Sequence, residues 1–377
     1  MRTLSPLRRA VAAGALVLAA VVPTAVPAQA GSGASGLPGR LDAAIRQTMD
    51  EAGIPGVVVG LWRPGHPDYV RSFGVADTTT GAPIADYMNF RIGSETKTFT
   101  VTALLQLVDD CLVGLDDPIA KYVDGVRDGE NITLRQLAGM RSGLFSYSED
   151  ADFATALLSD PERQWTPEEL LPYGMKHENK FPPGAAFDYS NSNLVLLGLV
   201  VEKVTGRKLA DVIHDRVLRP GRLHRTLFPT GAEFPSPHPR GYTNQTLTGE
   251  TADATDWNPS WGWAAGAMIS NLRDLRVWAK DLATGTLLSP ATQAERLTMQ
   301  PIGVPGTSYG LGIFDSNGWI GHNGSLPGYE SVTVYLPEED ATLVVLLNTD
   351  SFHNGQEPST LLAKAITTIA TPGHIYD

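Results

Sequence analysis

The pair of residues with the clearest capacity for chemistry in this sequence is Ser94 and Lys97, which lie three positions apart. Where a helix begins, residues at this spacing share a face, so the Lys97 amine is expected beside the Ser94 hydroxyl. A serine hydroxyl is a poor nucleophile until a base takes its proton, and a desolvated amine can act in that relay. The N–H groups at a helix start also favour a developing oxyanion. S-x-x-K arises about once by chance in a chain of this length, but no other serine here has a lysine three positions later.

Two other routes to hydrolysis fit the residues less well. Gly306–Gly310 matches G-x-S-x-G, but a nucleophile elbow needs a strand before it and a helix after it. Here Pro301 and Pro305 precede the motif and a strand-like Leu311–Ile313 follows it. The eight histidines include no H-E-x-x-H motif and no helical pair at ligand spacing. The single cysteine, Cys111, excludes a Cys-based zinc cluster and is expected to pack as a small hydrophobic residue. We therefore expect neither a metal nor another cofactor.

A second candidate element of the site is the tripeptide Tyr189-Ser190-Asn191, one of three Tyr-x-Asn segments in the chain. The rigid turn Pro182–Gly184 precedes it, and the apolar run Leu194–Leu197 predicts a buried helix after it. This setting would hold Tyr189 and Asn191 on a short anchored loop facing a cleft. The alternative is a core tyrosine next to a helix capped by Ser190 or Asn191. Spacing alone leaves both interpretations open.

A third candidate is His322-Asn323-Gly324 at the end of a predicted strand. Glycine at such a position would let a substrate backbone approach closely, as if it added a strand to the sheet edge. The same pattern recurs at His353-Asn354-Gly355, but there it lies in a polar loop and is interpreted as incidental.

Several elements are predicted to position these residues. Apolar residues at helical spacing predict a first helix around Leu41–Met49 and an amphipathic helix around Val101–Val108. Compact apolar runs predict strands near both ends of the chain. They are Gly56–Trp62, Val70–Val75, Tyr309–Phe314, Gly318–His322, Ser331–Leu336 and Thr342–Asn348, with a final helix at Leu361–Ile369.

This order predicts an α+β fold of the α/β sandwich type. An antiparallel sheet is built from N- and C-terminal segments and flanked by helices, and a mostly helical region is inserted at roughly residues 115–285. Residues 1–30 read as a signal peptide, because Arg8-Arg9 is followed by an apolar stretch and the small-residue site Ala28-Gln29-Ala30. Residues 31–37 are then a flexible stub, and residues 38–372 form one hydrolase domain.

Composition limits the compartment and the partners. With 42% hydrophobic and 19% charged residues, the chain is expected to fold as a globular protein. Its formal charge of −12 argues against nucleic acid or an anionic membrane as the main partner, because both require a basic face. We expect a secreted, extracellular monomer, cleaved near Ala30, without stable membrane insertion.

Taken in order, these motifs resemble the penicillin-recognising serine hydrolases, in the branch of the Streptomyces D-alanyl-D-alanine carboxypeptidase, class C β-lactamases, D-aminopeptidases and related esterases. The resemblance spans about Gly56 to Asn348 and implies a β-lactamase/transpeptidase-like fold. It rests on the segments FRIGSETKTFTVTALLQLVD, ITLRQLAGMRSGL, PPGAAFDYSNSNLVLLG, SWGWAAGAMISN and IGHNGS. Y-S-N and H-N-G stand where other members carry S-D-N and K-T-G.

The resemblance implies a role for each matched residue. Ser94 would be the acylated nucleophile, Lys97 its proton-relay partner and Tyr189 the general base, with His322 tuning the tyrosine. The remaining residues would bind substrate. Asn191 would bind the amide and Gly324 would admit the substrate strand, while the backbone N–H groups of Ser94 and Ser325 would form the oxyanion hole. Phe153 and Trp261 would line the cleft.

Two positions depart from the carboxypeptidase pattern. Phe314 stands where that enzyme has a carboxylate-binding arginine, and Asn323 stands where it has a threonine that binds the same carboxylate. The resemblance implies a secreted acyl-enzyme hydrolase for peptidoglycan-type D-amino-acid peptides or amides, with carboxypeptidase activity as the leading expectation. An esterase, a D-aminopeptidase and a β-lactam-trapping penicillin-binding protein with little turnover are the alternatives. The substrates would be small peptides, amides, esters or β-lactams.

Overall fold

The computed structural model describes residues 36–377 of the chain. The predicted signal peptide, its cleavage site and residues 31–35 of the stub lie outside the described residues. Between residues 36 and 377, none of the helices combines the length and the apolar character needed to cross a membrane.

An eight-stranded antiparallel sheet forms the centre of the fold, in the order β2-β1-β12-β11-β10-β9-β8-β7. The first two strands come from the N-terminal part, and the other six come from the C-terminal part, as predicted. β1 pairs with β12 so that Val57 lies opposite Leu347. The strands of this sheet are β1 (Gly56–Trp62), β2 (Tyr69–Gly74), β7 (Gln300–Pro301), β8 (Thr307–Tyr309), β9 (Phe314–Ser316), β10 (Trp319–Leu326), β11 (Tyr329–Leu336) and β12 (Ala341–Leu347).

Two short antiparallel pairs complete the strands, and one predicted strand is divided. The pairs are β3 (Asn89–Arg91) with β6 (Ile269–Asn271), and β4 (Tyr242–Thr243) with β5 (Ala252–Asp253). The stretch 309–314 was expected to be one strand. It is instead the end of β8, a turn and the start of β9, because Gly312 has φ +70° and reverses the chain there.

Helices cover both faces of the sheet. Every residue of β1, β11 and β12 is buried, and successive side chains of a strand point to opposite faces, so both faces are covered. α9 (Leu272–Thr284) contacts all three of these strands. α11 (Pro358–Ala370) contacts β11 and β12, and α1 (Leu37–Ala52) packs against α11. The α+β architecture predicted from the sequence is confirmed.

The helix predicted after Ser94 is present as α2 (Thr96–Asp109). The prediction that it is amphipathic is wrong. Residues 96–105 are all buried, because the inserted region packs around the helix. Its threonines tolerate burial because each hydroxyl has a partner: the Thr100 hydroxyl, for example, donates to the Ala264 carbonyl at 2.8 Å. A threonine-rich polar face is therefore compatible with a buried helix.

The inserted region is mostly helical, as predicted. Besides α9, its helices are α3 (Leu134–Ala138), α4 (Ala151–Ser159), α5 (Pro167–Met175), α6 (Asn191–Thr205), α7 (Leu209–Ile213) and α8 (Trp263–Gly266). A further helix, α10 (Pro290–Arg296), lies between this region and the C-terminal strands. One small expectation is wrong. Cys111 does not pack as a hydrophobic residue but is exposed, because the backbone takes φ +57° just after α2 and turns the side chain outward.

Candidate active site

Ser94 lies in a single 3₁₀ turn, Gly93–Glu95, that leads directly into α2. The backbone of Gly93 has φ +50°, in the left-handed region that favours glycine. A Cβ atom at Gly93 would lie 2.5 Å from the backbone nitrogen of Ser325 in β10. Glycine at this position therefore allows β10 to pack directly against the turn that carries the serine. The Ser94 side chain remains partly exposed.

Lys97 is fully buried on the first turn of α2, and its amine lies beside the serine as predicted. Lys97 Nζ donates to Ser94 Oγ at 2.8 Å and to the Ala265 carbonyl at 2.7 Å. Burial lowers the pKa of the Lys97 ammonium well below its usual value. Burial therefore favours the uncharged amine, the form that can take the proton of Ser94.

The Ala265 carbonyl is held in place by further bonds between α8 and the start of α2. Met268 donates its N–H to the Thr96 hydroxyl at 3.0 Å, and Ile92 donates its N–H to the Met268 carbonyl at 3.0 Å. These contacts explain why the segment SWGWAAGAMISN accompanies the serine motif: its backbone fixes the nucleophile and the lysine together.

Tyr189 lies beside Lys97, on a short anchored loop of the kind considered from the sequence. Its ring centroid is 4.8 Å from Lys97 Nζ. The loop is anchored because Asp188 donates its N–H to the Met140 carbonyl at 3.0 Å. Burial raises the pKa of the Tyr189 phenol well above its usual range, and the neighbouring Ser94 hydroxyl partly opposes this shift. At neutral pH the phenol is protonated and faces the serine.

Asn191 is the first residue of α6, and it does not act as a helix cap. Its N–H donates to Ser146 Oγ at 3.0 Å, and its Nδ2 donates to Ser148 Oγ at 2.9 Å. Within residues 36–377, no group pairs with the buried Oδ1 of Asn191. Because Ser190 does not cap α6 with its side chain either, the capping alternative for this segment is wrong. An acceptor oxygen is left available beside the tyrosine.

His322 lies on β10 near Tyr189, with 6.2 Å between the ring centroids. Its hydrogen bonds, however, go elsewhere. Nδ1 donates to the Asn323 carbonyl at 2.5 Å, so Nε2 is the acceptor for the Tyr309 hydroxyl at 3.2 Å. Burial, with the nearby Lys97, lowers the pKa of His322 to about 3. The imidazole is neutral, and the tyrosine it contacts directly is Tyr309.

Tyr309 is a residue of the site that the sequence reasoning missed. Its ring packs edge-on against Tyr189, with centroids 6.3 Å apart, and it thereby links His322 to Tyr189. The signal was present, since Tyr309 belongs to the Gly306–Gly310 segment that was discounted as a nucleophile elbow. That segment contributes its tyrosine rather than its serine.

The structure explains the glycine at position 324 differently from the expectation that it admits a substrate strand. A Cβ atom there would lie 1.9 Å from the carbonyl oxygen of Ile92, so the glycine admits the chain's own backbone. Ser325 follows, and its backbone nitrogen lies beside Gly93, one residue before the nucleophile. The backbone N–H of Ser325 is therefore next to the turn that carries the reacting hydroxyl.

Phe153 and Trp261, expected to line the cleft, lie instead in a separate hydrophobic cluster. Phe153 is fully buried and packs against Tyr147 and Trp165, with ring centroids 5.2 Å away in both cases. Trp261 is 5% exposed, and its carbonyl accepts a hydrogen bond from the Tyr147 hydroxyl at 2.5 Å. The cluster forms because α4 turns its apolar face inward. The Phe153 prediction is wrong, since a fully buried ring cannot touch a substrate.

The two positions that depart from the carboxypeptidase pattern lie next to each other in space. Phe314 packs on His322 with centroids 5.5 Å apart and on Tyr376 at 6.0 Å. Asn323 donates from Nδ2 to Oε2 of Glu357 at 2.7 Å. Glu357, which the sequence reasoning also missed, thus adds a carboxylate where a carboxypeptidase would need a cation.

Comparisons with known proteins identify the family of the chain. The family model described as Beta-lactamase matches residues 41–366. A D-stereospecific amidohydrolase from Streptomyces sp. is 32% identical, with a TM-score of 0.78 over 88% of this chain and 98% of that one. The D-amino acid amidase from Ochrobactrum anthropi SV3 is 27% identical, with a TM-score of 0.76 over 88% and 97%.

A curated relative, the D-aminopeptidase of Cereibacter sphaeroides, is 28% identical over 83% of this chain. The chain spans 60–63% of the length of the curated relatives it matches. The resemblance drawn from the motifs is confirmed by the family match, which extends from the first helix into the last. The chain therefore belongs to the beta-lactamase family of serine hydrolases.

Proposed function

We propose that this chain hydrolyses amide bonds of D-amino-acid peptides or amides through an acyl-enzyme on Ser94. The observation that carries the proposal is the fully buried Lys97 amine 2.8 Å from the partly exposed Ser94 hydroxyl. The names of the similar proteins, a D-stereospecific amidohydrolase, a D-amino acid amidase and a D-aminopeptidase, support this substrate class.

In the proposed reaction, Ser94 Oγ attacks the scissile carbonyl as its proton passes to the Lys97 amine. The N–H groups of Ser94 and Ser325 donate to the oxyanion of the tetrahedral intermediate. Collapse breaks the C–N bond as the Tyr189 phenol donates its proton to the leaving amine and takes up the proton held by Lys97. Water then attacks the ester in the same way and releases the acid and free Ser94, so one hard step becomes two easier ones.

The burial of Lys97 and Tyr189 suits this reaction, because it favours the uncharged form of both side chains. A charged lysine would hold its proton and could not accept one from Ser94, whereas the buried amine can. Tyr189, protonated at rest, can donate to the leaving amine and then act as base when deprotonated. Asn191, whose Oδ1 has no partner within residues 36–377, is proposed to bind the amide of the substrate.

The surroundings of Phe314 and Asn323 favour an amidase or aminopeptidase over the carboxypeptidase that the motifs alone suggested. A carboxypeptidase must bind the free carboxylate of its leaving group, and the apolar Phe314 cannot pair with one. We also propose secretion with cleavage near Ala30, action on peptidoglycan-derived peptides and a monomeric state. The basic and apolar pattern of residues 1–30 supports secretion.

Intact mass after brief exposure to benzylpenicillin, together with turnover of D- and L-phenylalanine amide, tests the proposal. We expect one penicilloyl adduct on the wild type, none on Ser94→Ala, and hydrolysis of the D-amide only. Tyr189→Phe is expected to lower kcat by about 10²–10⁴-fold. The matched control is Tyr87→Phe, which changes the 59% exposed tyrosine of another Tyr-x-Asn segment and should leave kcat unchanged. Equal cleavage of the L-amide, or an adduct on Ser94→Ala, would refute the proposal.

A further inference from the structure

The chain continues after α11 in a segment, residues 371–377, that lies beyond the family match to residues 41–366. This segment packs against the hairpin of β9 and β10. Trp319 Nε1, at the start of β10, donates to the His374 carbonyl at 2.7 Å. A Cβ atom at Gly318, in the turn before β10, would lie 3.0 Å from His374 Nδ1. The glycine in this turn therefore leaves room for segment 371–377 on the hairpin.

Further hydrogen bonds fix the part of this segment around Tyr376. Asn317 Nδ2, in the turn between β9 and β10, donates to the Ile375 carbonyl at 2.7 Å. On the helix side, the Tyr376 N–H donates to Thr367 Oγ1 of α11 at 2.9 Å. These bonds join the β9–β10 hairpin to α11 through segment 371–377. The Tyr376 side chain is thereby held in a buried position.

Tyr376 is connected to the active site through Phe314. The ring centroids of Tyr376 and Phe314 are 6.0 Å apart, and those of Phe314 and His322 are 5.5 Å apart. The His322 ring centroid is in turn 6.2 Å from that of Tyr189. The four rings form a continuous series of contacts from segment 371–377 to the phenol that donates a proton in the proposed reaction.

The two sides of Tyr189 belong to different parts of the fold. Asn191, proposed to bind the amide of the substrate, is held by serine hydroxyls of the inserted region. His322 and Phe314 instead belong to the sheet. The leaving amine takes its proton from Tyr189 in the proposed reaction. This arrangement assigns the sheet side of Tyr189, where Phe314 lies, to the leaving amine.

Phe314 and Tyr376 differ in exposure, and this difference separates their roles. Phe314 keeps 8% of its surface exposed, so an edge of its ring can meet a substrate group, whereas Tyr376 is 2% exposed and can act only by support. Tyr376 takes up room into which the Phe314 ring could otherwise move. Because protein interiors are close packed, Phe314 cannot yield to a large group without displacing Tyr376.

We propose that Phe314, supported by Tyr376, is a wall that limits the size of the leaving amine, so that ammonia or another small amine fits and a bulky amine does not. Tyr376 is a positioning residue that acts through Phe314. This inference rests on the proposed function and narrows its leaving group. The bond that breaks and the path of the proton stay the same, and the wall changes only which amines are accepted.

The test compares kcat/KM for D-phenylalanine amide and D-phenylalanine benzylamide, which share the acyl group and differ in the leaving amine. A misfit of one methylene group in an apolar pocket is worth about 10–200-fold, so the wild type should prefer the small amide by about 10-fold or more. Tyr376→Ala gives Phe314 room to move, and the benzylamide-to-amide ratio should rise by about 10-fold or more. Tyr376→Phe keeps the ring and should restore the wild-type ratio.

Tyr69→Ala is the matched control for the loss of a buried tyrosine. Tyr69 is 5% exposed and lies on β2, at the far edge of the sheet from β9 and β10. This variant should lose stability in urea unfolding and keep the wild-type substrate ratio. Phe314→Ala removes the wall itself and should also raise the ratio, so it decides the inference if Tyr376→Ala does not fold.

The outcomes separate this inference from the proposed function. A wild type that cleaves the benzylamide as well as the small amide overturns the inference. So does an equal fall of both kcat/KM values in Tyr376→Ala, which would make Tyr376 a structural support only, or an unchanged ratio in Phe314→Ala. If the wild type cleaves neither amide but hydrolyses D-phenylalanine esters, the proposal of amide hydrolysis fails. The ratio of benzyl to methyl ester in the same variants then tests the wall. Cleavage of none of the four compounds overturns both proposals.

Discussion

Gly324→Ala tests whether the close approach of β10 to the serine turn is what assembles the site. The added Cβ would lie 1.9 Å from the Ile92 carbonyl oxygen and 2.8 Å from Ser331 Oγ. The Ile92 carbonyl cannot move freely, because it accepts from the Ser331 hydroxyl at 3.2 Å and its own residue donates an N–H to Met268 at 3.0 Å. β10 itself must therefore shift away from the serine turn.

The size of the shift sets the expected effect. Contact without severe overlap requires about 1 Å more separation between the new Cβ and the Ile92 oxygen, and a misplacement of about 1 Å can cost about 10²-fold in rate. Because Ser325 follows Gly324, its N–H moves with β10 and no longer aims at the oxyanion. Overpacking of this kind also destabilises a fold by about 1–3 kcal/mol.

The measurement is kcat for an ester or amide substrate, together with urea unfolding followed by tryptophan fluorescence. Gly373→Ala is the matched control, because a Cβ atom there meets nothing within 4 Å. We expect kcat to fall about 10²-fold in Gly324→Ala, with stability reduced, while Gly373→Ala stays like the wild type. Should Gly324→Ala match Gly373→Ala in both rate and stability, the close approach would not position the site.

Three further predictions concern individual side chains. Phe153→Ala should lower the free energy of unfolding by about 3–5 kcal/mol while KM, measured well below the melting temperature, stays unchanged; a raised KM would return Phe153 to the cleft. His322 should remain neutral down to about pH 3, and a ¹⁵N NMR titration that shows protonation near pH 6 would contradict this. The unfolded chain binds that proton near pH 6.5 and the folded chain only near pH 3, so His322 lowers the free energy of unfolding as the pH drops below 6.5. Urea titrations should show a smaller loss in His322→Gln. Tyr309→Phe removes the hydroxyl that donates to His322 Nε2 and should lower kcat with KM nearly unchanged, which steady-state kinetics would show; an unchanged kcat would limit Tyr309 to packing.

Most of the fold could be predicted from the sequence, because buried strands such as Gly56–Trp62 are compact runs of apolar residues. It also predicted the Ser94–Lys97 contact, which depends on helical geometry alone. The burial of α2 could not be predicted in the same way. Its threonines read as a polar face. Two of their hydroxyls find partners only far along the chain, at Ala264 for Thr100 and at Met268 for Thr96, and spacing does not reveal such contacts.

The misjudged parts of the site share a cause. Phe153 was assigned to the cleft by resemblance, whereas its neighbours Tyr147 and Trp165 bury it, and no local pattern reveals which aromatic residues face each other. Glu357 lies beside Asn323 only because α11 follows the last strand and returns along β11 and β12. Contacts that depend on tertiary packing are invisible to spacing, whatever the residue types.

The pairing of β1 with β12 has a consequence for the timing of folding. The hairpin of β1 and β2 can form early, but one edge of β1 stays bare until the last strand of the sheet is made. Pairings between distant segments form slowly, and a bare apolar edge is prone to join another chain. Ser325, too, reaches Ser94 only at that late stage. A growing chain is therefore most vulnerable to aggregation while it is still unable to hydrolyse anything, and catalytic competence arrives together with the closure of the sheet.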